Sequence, residues 1–239
     1  MLTKPIIKNF SPQDERKILQ LQLPNTKAGK VDIDVTEHCL PMDMFITSIK
    51  DSNGNTIGSE IFCIDDSDEM FGYNIEVETP NKGKRLGELL RLTSIIEMLE
   101  NKINLLKIYS KNIAIYFHSK YNFEPDISGS LSHRNAAVTN IMNNKSEGMV
   151  SFSKEAKELM QKIENTPIYD TDKQFRLSQQ ANELIKNYIQ EILKNGNYKD
   201  FCFDLGFNMK LTKETILKNA DFFNELFEKH GIDYKITQD

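Results

Sequence analysis

The feature that most constrains the fold is a change of period at Leu86. Before it, three short runs alternate apolar and polar residues, separated by turn formers. Met44 to Ile49 reads as a strand. Asp51-Ser52-Asn53-Gly54-Asn55 is dense in turn residues and holds an Asn-Gly pair. Thr56 to Ile64 is a second strand, and Asp65-Asp66-Ser67-Asp68-Glu69 a second turn. Met70 to Glu78 is a third strand, with Phe71, Tyr73, Ile75 and Val77 expected on one face. Such a run is an antiparallel meander. From Leu86 onward, Leu89, Leu90, Ile96 and Leu99, with Leu92 and Ile95 beside them, take helical spacing over a broad face. Leu105 to Tyr109 returns to strand character. Strand, loop, helix and strand in that order imply a crossover and a parallel pair. The expected fold class is therefore α/β, with a central mixed sheet flanked by helices.

The flanks carry weaker signals. Ser11 to Leu21 reads as a short helix, with Ser11 as N-cap and Pro12 in its first position. Lys30 to Val35 alternates as a strand does. Asn112 to Tyr121 is a short helical segment, ended by Phe123-Glu124-Pro125. Ser151 to Asn165 and Asp172 to Lys194 read as amphipathic helices with balanced charge, and Phe201 to Leu211 as a strand. Thr212 then caps a last helix, with Leu211 and Ile216 as a hydrophobic staple and Gly231 beyond its end.

Composition removes several classes of function. Of 239 residues, 39% are apolar and 27% charged, which suits a packed core rather than a disordered chain. Net charge is -5 with no long basic run, which argues against general nucleic-acid binding. No apolar stretch approaches the ~20 residues that span a bilayer, so no membrane partner is expected. Met1-Leu2-Thr3-Lys4-Pro5 has no apolar signal region. Cys39, Cys63 and Cys202 are far apart and odd in number, as for free thiols in a reducing cytoplasm. His38, His133 and His230 have no ligands at metal spacing, and no metal is expected.

One segment can bind an anion. Lys82-Gly83-Lys84-Arg85-Leu86-Gly87 follows a strand and opens a helix. The first amides of that helix lack intrahelical partners and sit at the positive end of its dipole. Gly83 and Gly87 allow close backbone approach, and Lys82, Lys84 and Arg85 add positive charge. A pyrophosphate suits such a place. Glycine-rich turns before helices are common, and many are only turns. No Walker pattern and no dinucleotide fingerprint is present.

The stretch from Val77 to Leu90 resembles the acyl-CoA signature of the GNAT acetyltransferase superfamily, an Arg/Gln-x-x-Gly-x-Gly/Ala loop after a strand. Lys82 stands at its first position, Arg85 at its middle glycine and Gly87 at its last. The run Asn112-Ile113-Ala114-Ile115-Tyr116-Phe117-His118-Ser119-Lys120-Tyr121-Asn122-Phe123 resembles the family's second segment, Asn, Ala, then Tyr-x-Lys-x-Gly-Phe. Arg85 and Asn122 replace glycines, and asparagine tolerates positive φ well.

The resemblance covers roughly residues 43–125. It implies a GNAT-like core over 1–126, a helical insertion or extension over 127–200, and a returning strand with a C-terminal helix over 201–239. The 127–200 helices are either an insertion in one domain or a separate C-terminal domain. The implied reaction is transfer of acetyl from acetyl-CoA to a primary amine, by direct attack in a ternary complex. Coenzyme A would lie against Val77, Lys82, Gly83, Lys84, Arg85, Leu86 and Gly87, with Asn112 at the pantetheine arm. Glu76 or Glu78 would act as base. The bland alternative is a pair of solvated strand carboxylates.

His118 falls where the family has the tyrosine that protonates the leaving thiolate. Its reference pKa of ~6.5 suits that task. The alternatives are a surface histidine, or a role moved to Tyr116 or Tyr121, of which Tyr116 faces another way. The implied partner is a small-molecule amine or a protein or peptide amine, with a homodimer compatible. The competing function is a non-catalytic acyl-CoA-binding or regulatory protein with a helical interaction module.

Overall fold

The computed structural model describes residues 16–38, 44–64, 69–127, 129–144, 146, 148–195 and 206–237. The expected cap at Ser11 and Pro12, the polar turn at 65–68 and the start of the 201–211 strand lie outside them. The first elements in chain order are β1 (Arg16–Thr26), β2 (Gly29–His38), β3 (Met44–Lys50), β4 (Thr56–Ile64) and β5 (Glu69–Val77). Then come α1 (Leu86–Glu100), β6 (Leu105–Lys111), α2 (Ile113–Ser119) and β7 (Glu124–Pro125). The rest are α3 (Leu131–Met142), α4 (Val150–Glu164), α5 (Thr171–Asn195), β8 (Gly206–Thr212), α6 (Lys213–Lys218) and α7 (Ala220–Lys229). The fold is α/β, a mixed sheet with flanking helices and further helices toward the C-terminal end.

The chain forms two compact units. One holds Met1–Lys107 and Thr212–Asp239, the other Ile108–Leu211. The division falls inside β6 and at the end of β8.

In the first unit the strand order is β1-β2-β3-β4-β5-β6. Strands β1 to β5 are joined antiparallel in sequence order, the meander its turns require. Asp51 makes the first of those turns: its carboxylate accepts from the Asn53 and Asn55 amides, both at 2.9 Å, and Gly54 takes φ +83°. One face of the sheet is the core. Leu19, Leu21, Leu23, Val31, Ile33, Val35, Phe45, Ile49 and Phe62 all lie under 9% exposed. Each such side chain contributes about 1.5–3 kcal/mol by leaving water. Helix α1 packs against β3, β4 and β5, with Leu89, Leu90, Leu92, Ile95 and Ile96 buried.

Two sequence expectations fail here. Residues 16–21 are strand, not helix. Leu19, Leu21 and Leu23 alternate with Gln20 and Gln22, a period of two that pairs with Val35, Ile33 and Val31 of β2. Strand β5 also lacks the single apolar face expected of it. Ile61 pairs with Asn74 and Phe62 with Gly72, so Tyr73 is an extra residue, a β-bulge. The bulge reverses the alternation: Ile75 and Val77 share the face of Glu60 and Gly58, whereas Phe71 pairs with Cys63 on the other. Tyr73 is 65% exposed.

The last helix is broken. Thr212 Oγ1 accepts from the Thr215 amide at 3.1 Å and caps α6, but Asn219, at φ −110° and ψ 30°, separates α6 from α7. Gly231 follows α7 at φ +68°, where a helix end favours glycine.

In the second unit the order is β6-β8-β7, and α3, α4 and α5 pack on one another. Helices α4 and α5 take the places their apolar stripes require. Helix α3 was not legible, since Ala137, Val138 and Ile141 are its only buried apolar residues. Arg134 holds α3 to α5: its Nη1 donates to Gln174 O and Ser178 Oγ, both at 3.2 Å.

Candidate functional site

The glycine-rich segment stands where the sequence places it, between β5 and α1 of the first unit. Its entry is fixed by the Glu78 amide, which donates to Ile57 O on β4 at 3.1 Å. A single 3-10 turn, Thr79–Asn81, follows. Lys82 is exposed. Gly83 takes φ +83° with no atom within 4 Å of the place its Cβ would occupy, so glycine serves the backbone turn here and the space above it is open. Lys84 is half-buried, its Nζ donating to Asn81 Oδ1 at 2.7 Å.

Arg85 caps α1 from an unusual conformation, φ 63° and ψ 22°, in the left-handed region. An L-residue held there costs about 1–2 kcal/mol. Its side chain is exposed and makes no cap hydrogen bond. Its carbonyl accepts from the Glu88 and Leu89 amides, at 3.1 and 3.2 Å. The Leu86 and Gly87 amides lie ahead of those bonds, in the stretch a helix cannot pair internally. Leu86 is buried and Gly87 half-buried.

Glu88 lies one residue further, a carboxylate at the positive helix end. His230 Nε2 is 3.2 Å and Lys229 Nζ 3.6 Å from its Oε1. The His230 contact holds the Glu88 carboxyl below its usual value; burial opposes, and the charges of His230, Lys229 and Arg85 assist.

Glu76 and Glu78 are both exposed, and Glu76 pairs with Ser59 on the face away from α1. Val77 is half-buried on the α1 side.

Asn112 and His118 belong to the second unit. Asn112 caps α2 at φ 53° and ψ −134°, a backbone state that glycine favours, without a side-chain cap. His118 is not a surface residue. It is 7% exposed, with its ring centroid 5.0 Å from Phe117 and 5.6 Å from Phe123. Tyr116 and Tyr121 are also buried, at 1% and 6%. Asn122 takes φ 61°, the positive value that its place in the motif implies.

Over about a third of its length the chain is similar to GNAT-family acetyltransferases. A GNAT-family acetyltransferase from Staphylococcus aureus Mu50 is 17% identical, over 37% of this chain and 58% of that one, with a TM-score of 0.34. The PaiA N-acetyltransferase from Thermoplasma acidophilum, in complex with coenzyme A, is 16% identical over 35% and 54%, with a TM-score of 0.33. A GNAT-family acetyltransferase from Elizabethkingia anophelis with acetyl-CoA bound is 19% identical over 36% and 56%, with a TM-score of 0.32. The chain thus spans little more than half the length of these proteins. No protein-family model and no curated protein matches the sequence.

Sequence spacing did not find Lys229 and His230, which reach Glu88 from the far end of the chain. Nor did it find Glu60 and Arg91, an ion pair inside the first unit. Among the described residues, no three His, Cys, Asp or Glu stand together as a metal site. No helix among them is long and apolar enough to cross a membrane.

Proposed function

We propose that this protein is an acyl-CoA-dependent N-acyltransferase that moves an acetyl group from acetyl-CoA to a primary amine. The observation that carries the reading is the uncapped N-terminus of α1. Arg85 stands at the cap position with no acceptor to offer, which leaves the Leu86 and Gly87 amides to a ligand, and Lys82, Lys84 and Arg85 add positive charge around them. Engagement of Glu88 by His230 and Lys229 offsets a nearby negative charge. The pyrophosphate of coenzyme A suits this place.

In the proposed reaction the amine nitrogen attacks the thioester carbonyl carbon. The new C–N bond forms, the C–S bond breaks, and coenzyme A leaves as a thiolate that takes up the proton the attacking nitrogen loses as it becomes an amide. Glu76 or Glu78 receives the proton from the ammonium, directly or through water; both are exposed, as a base must be to reach its substrate. No step is assigned to His118, whose ring is enclosed by Phe117 and Phe123.

Thiol release from acetyl-CoA, measured over a panel of primary amines, tests the reading. Amine-dependent release is expected. Tight binding of acetyl-CoA with no release across the panel would favour a non-catalytic acyl-CoA-binding protein. Neither binding nor release would sink both.

A further inference from the structure

Two charged side chains are sealed inside the apolar core of the first unit. Glu60 of β4 and Arg91 of α1 are each 1% exposed, with Arg91 Nη1 3.0 Å from Glu60 Oε1. Ser94 completes the cluster: its Oγ accepts from Arg91 Nη1 at 3.1 Å and donates to Arg91 O at 3.0 Å. Glu60 pairs with Thr47 on β3 and with Ile75 on β5, so the carboxylate stands mid-sheet, beneath the helix. Burial pushes the Glu60 carboxyl up to about 6, against the Arg91 charge.

Stability alone does not account for this arrangement. A buried ion pair is often no better than packed apolar side chains of the same volume, because desolvation cancels most of the attraction. An ion pair does supply direction. Close packing already resists sliding of a helix on a sheet, and a charge pair in a dry core adds one favourable position to it.

The neighbours of the pair make that position matter. Gly58, two residues before Glu60, lies against Leu90: a Cβ there would meet Leu90 Cδ1 at 3.7 Å and Val77 Cγ2 at 3.8 Å, ordinary contact distances. Ile57 O receives the Glu78 amide at the loop entry. Strand β4 thus grips both ends of the loop, the exit of β5 and the second turn of α1. Arg91 is four residues past Gly87, about 6 Å along the helix axis.

We infer that the Glu60–Arg91 pair is a positioning element, which sets the slide and rotation of α1 on β4 and thereby the direction of the Leu86 and Gly87 amides. The inference rests on the acyl-CoA reading for the ligand these amides would meet. It concerns residues that touch no ligand themselves.

The test compares the wild-type protein with Glu60→Leu/Arg91→Met, which fills the space with apolar atoms, and with the near-isosteric Glu60→Gln, which keeps the fold if the double variant does not. Thermal unfolding, hydrogen exchange of the Glu88, Leu89 and Leu90 amides, and calorimetric binding of coenzyme A are read on each. The double variant is expected to unfold near the wild-type temperature. Its first-turn amides should nevertheless exchange about tenfold faster, and coenzyme A bind about tenfold more weakly, since small misplacements are costly at a ligand site. Glu60→Gln should move the same way by a smaller factor. Wild-type exchange and wild-type affinity in a folded variant would overturn the positioning role and leave the acyl-CoA reading intact. Failure of the wild-type protein to bind coenzyme A would overturn that reading and, with it, the purpose inferred for the pair.

Discussion

His230 Nε2 stands 3.2 Å from Glu88 Oε1, so the end of the C-terminal helix closes on the first turn of α1. That turn is the one proposed to hold pyrophosphate, and an unengaged carboxylate there would repel it. His230→Ala should weaken coenzyme A binding by roughly two- to fivefold, the size of a single charge effect at a helix end, and less so in high salt. The contact also lowers the Glu88 carboxyl in the folded state. The stability it contributes is therefore present above the ordinary carboxylate value and fades as the solution is acidified through the folded one. Acid unfolding curves of His230→Ala and wild type should converge at the acid end, whereas a constant gap would contradict the contact.

Arg85 offers a cleaner separation of backbone from charge. Arg85→Gly relieves the left-handed conformation, while Arg85→Ala keeps it, and both remove the cation. Thermal unfolding should show the glycine variant more stable than the alanine one by about 1 kcal/mol. Calorimetry should show coenzyme A binding weakened alike in both. If the glycine variant bound as tightly as wild type, the guanidinium would have no part in the site.

Glu97 gives a pH signature. It is 4% exposed near the end of α1, and burial pushes its carboxyl up to about 7; the Asn101 hydrogen bond opposes this and Glu100 adds to it. The folded protein then keeps a proton that the unfolded chain has lost, so stability falls as pH rises from about 4.5 toward 7. A shift of this size corresponds to ~3 kcal/mol as an upper figure. Glu97→Gln keeps an acceptor for Asn101 and removes the titration. Denaturant unfolding should find it more stable than wild type at pH 8 and equal at pH 4. Equal stability at both would contradict the buried, proton-holding carboxyl.

His118→Phe tests whether the imidazole does chemistry. Its ring sits among Phe117 and Phe123, where a phenyl ring of similar size would pack. The transfer rate should stay within about threefold of wild type, against the hundredfold or larger loss that removal of a general acid brings. A loss of that larger size in a folded variant would return His118 to the mechanism.

These residues also mark what the sequence makes legible. The turn at Asp51–Asn55, the helix from Leu86 and the Thr212 cap are local, set by residues within a few positions of one another, and all stand as read. The position of the glycine-rich turn between β5 and α1 is legible for the same reason. The start of β1 reads as a helix in sequence because the Ser-Pro pair outweighs the alternation of Leu19, Leu21 and Leu23, which acquires meaning only once β2 lies beside it. The bulge at Tyr73 depends on the register of β4, not on β5 itself. Glu60 with Arg91, and Glu88 with His230, are contacts between distant segments, and no spacing rule records them. Only the fold could reveal that His118 is enclosed.

The most direct test of the acyl-CoA reading is the amide spectrum of the protein titrated with coenzyme A. Saturating shifts at Arg85, Leu86 and Gly87, lost when dephosphorylated pantetheine replaces the full cofactor, are the expected result. Unchanged resonances at these three amides under saturating coenzyme A would contradict it.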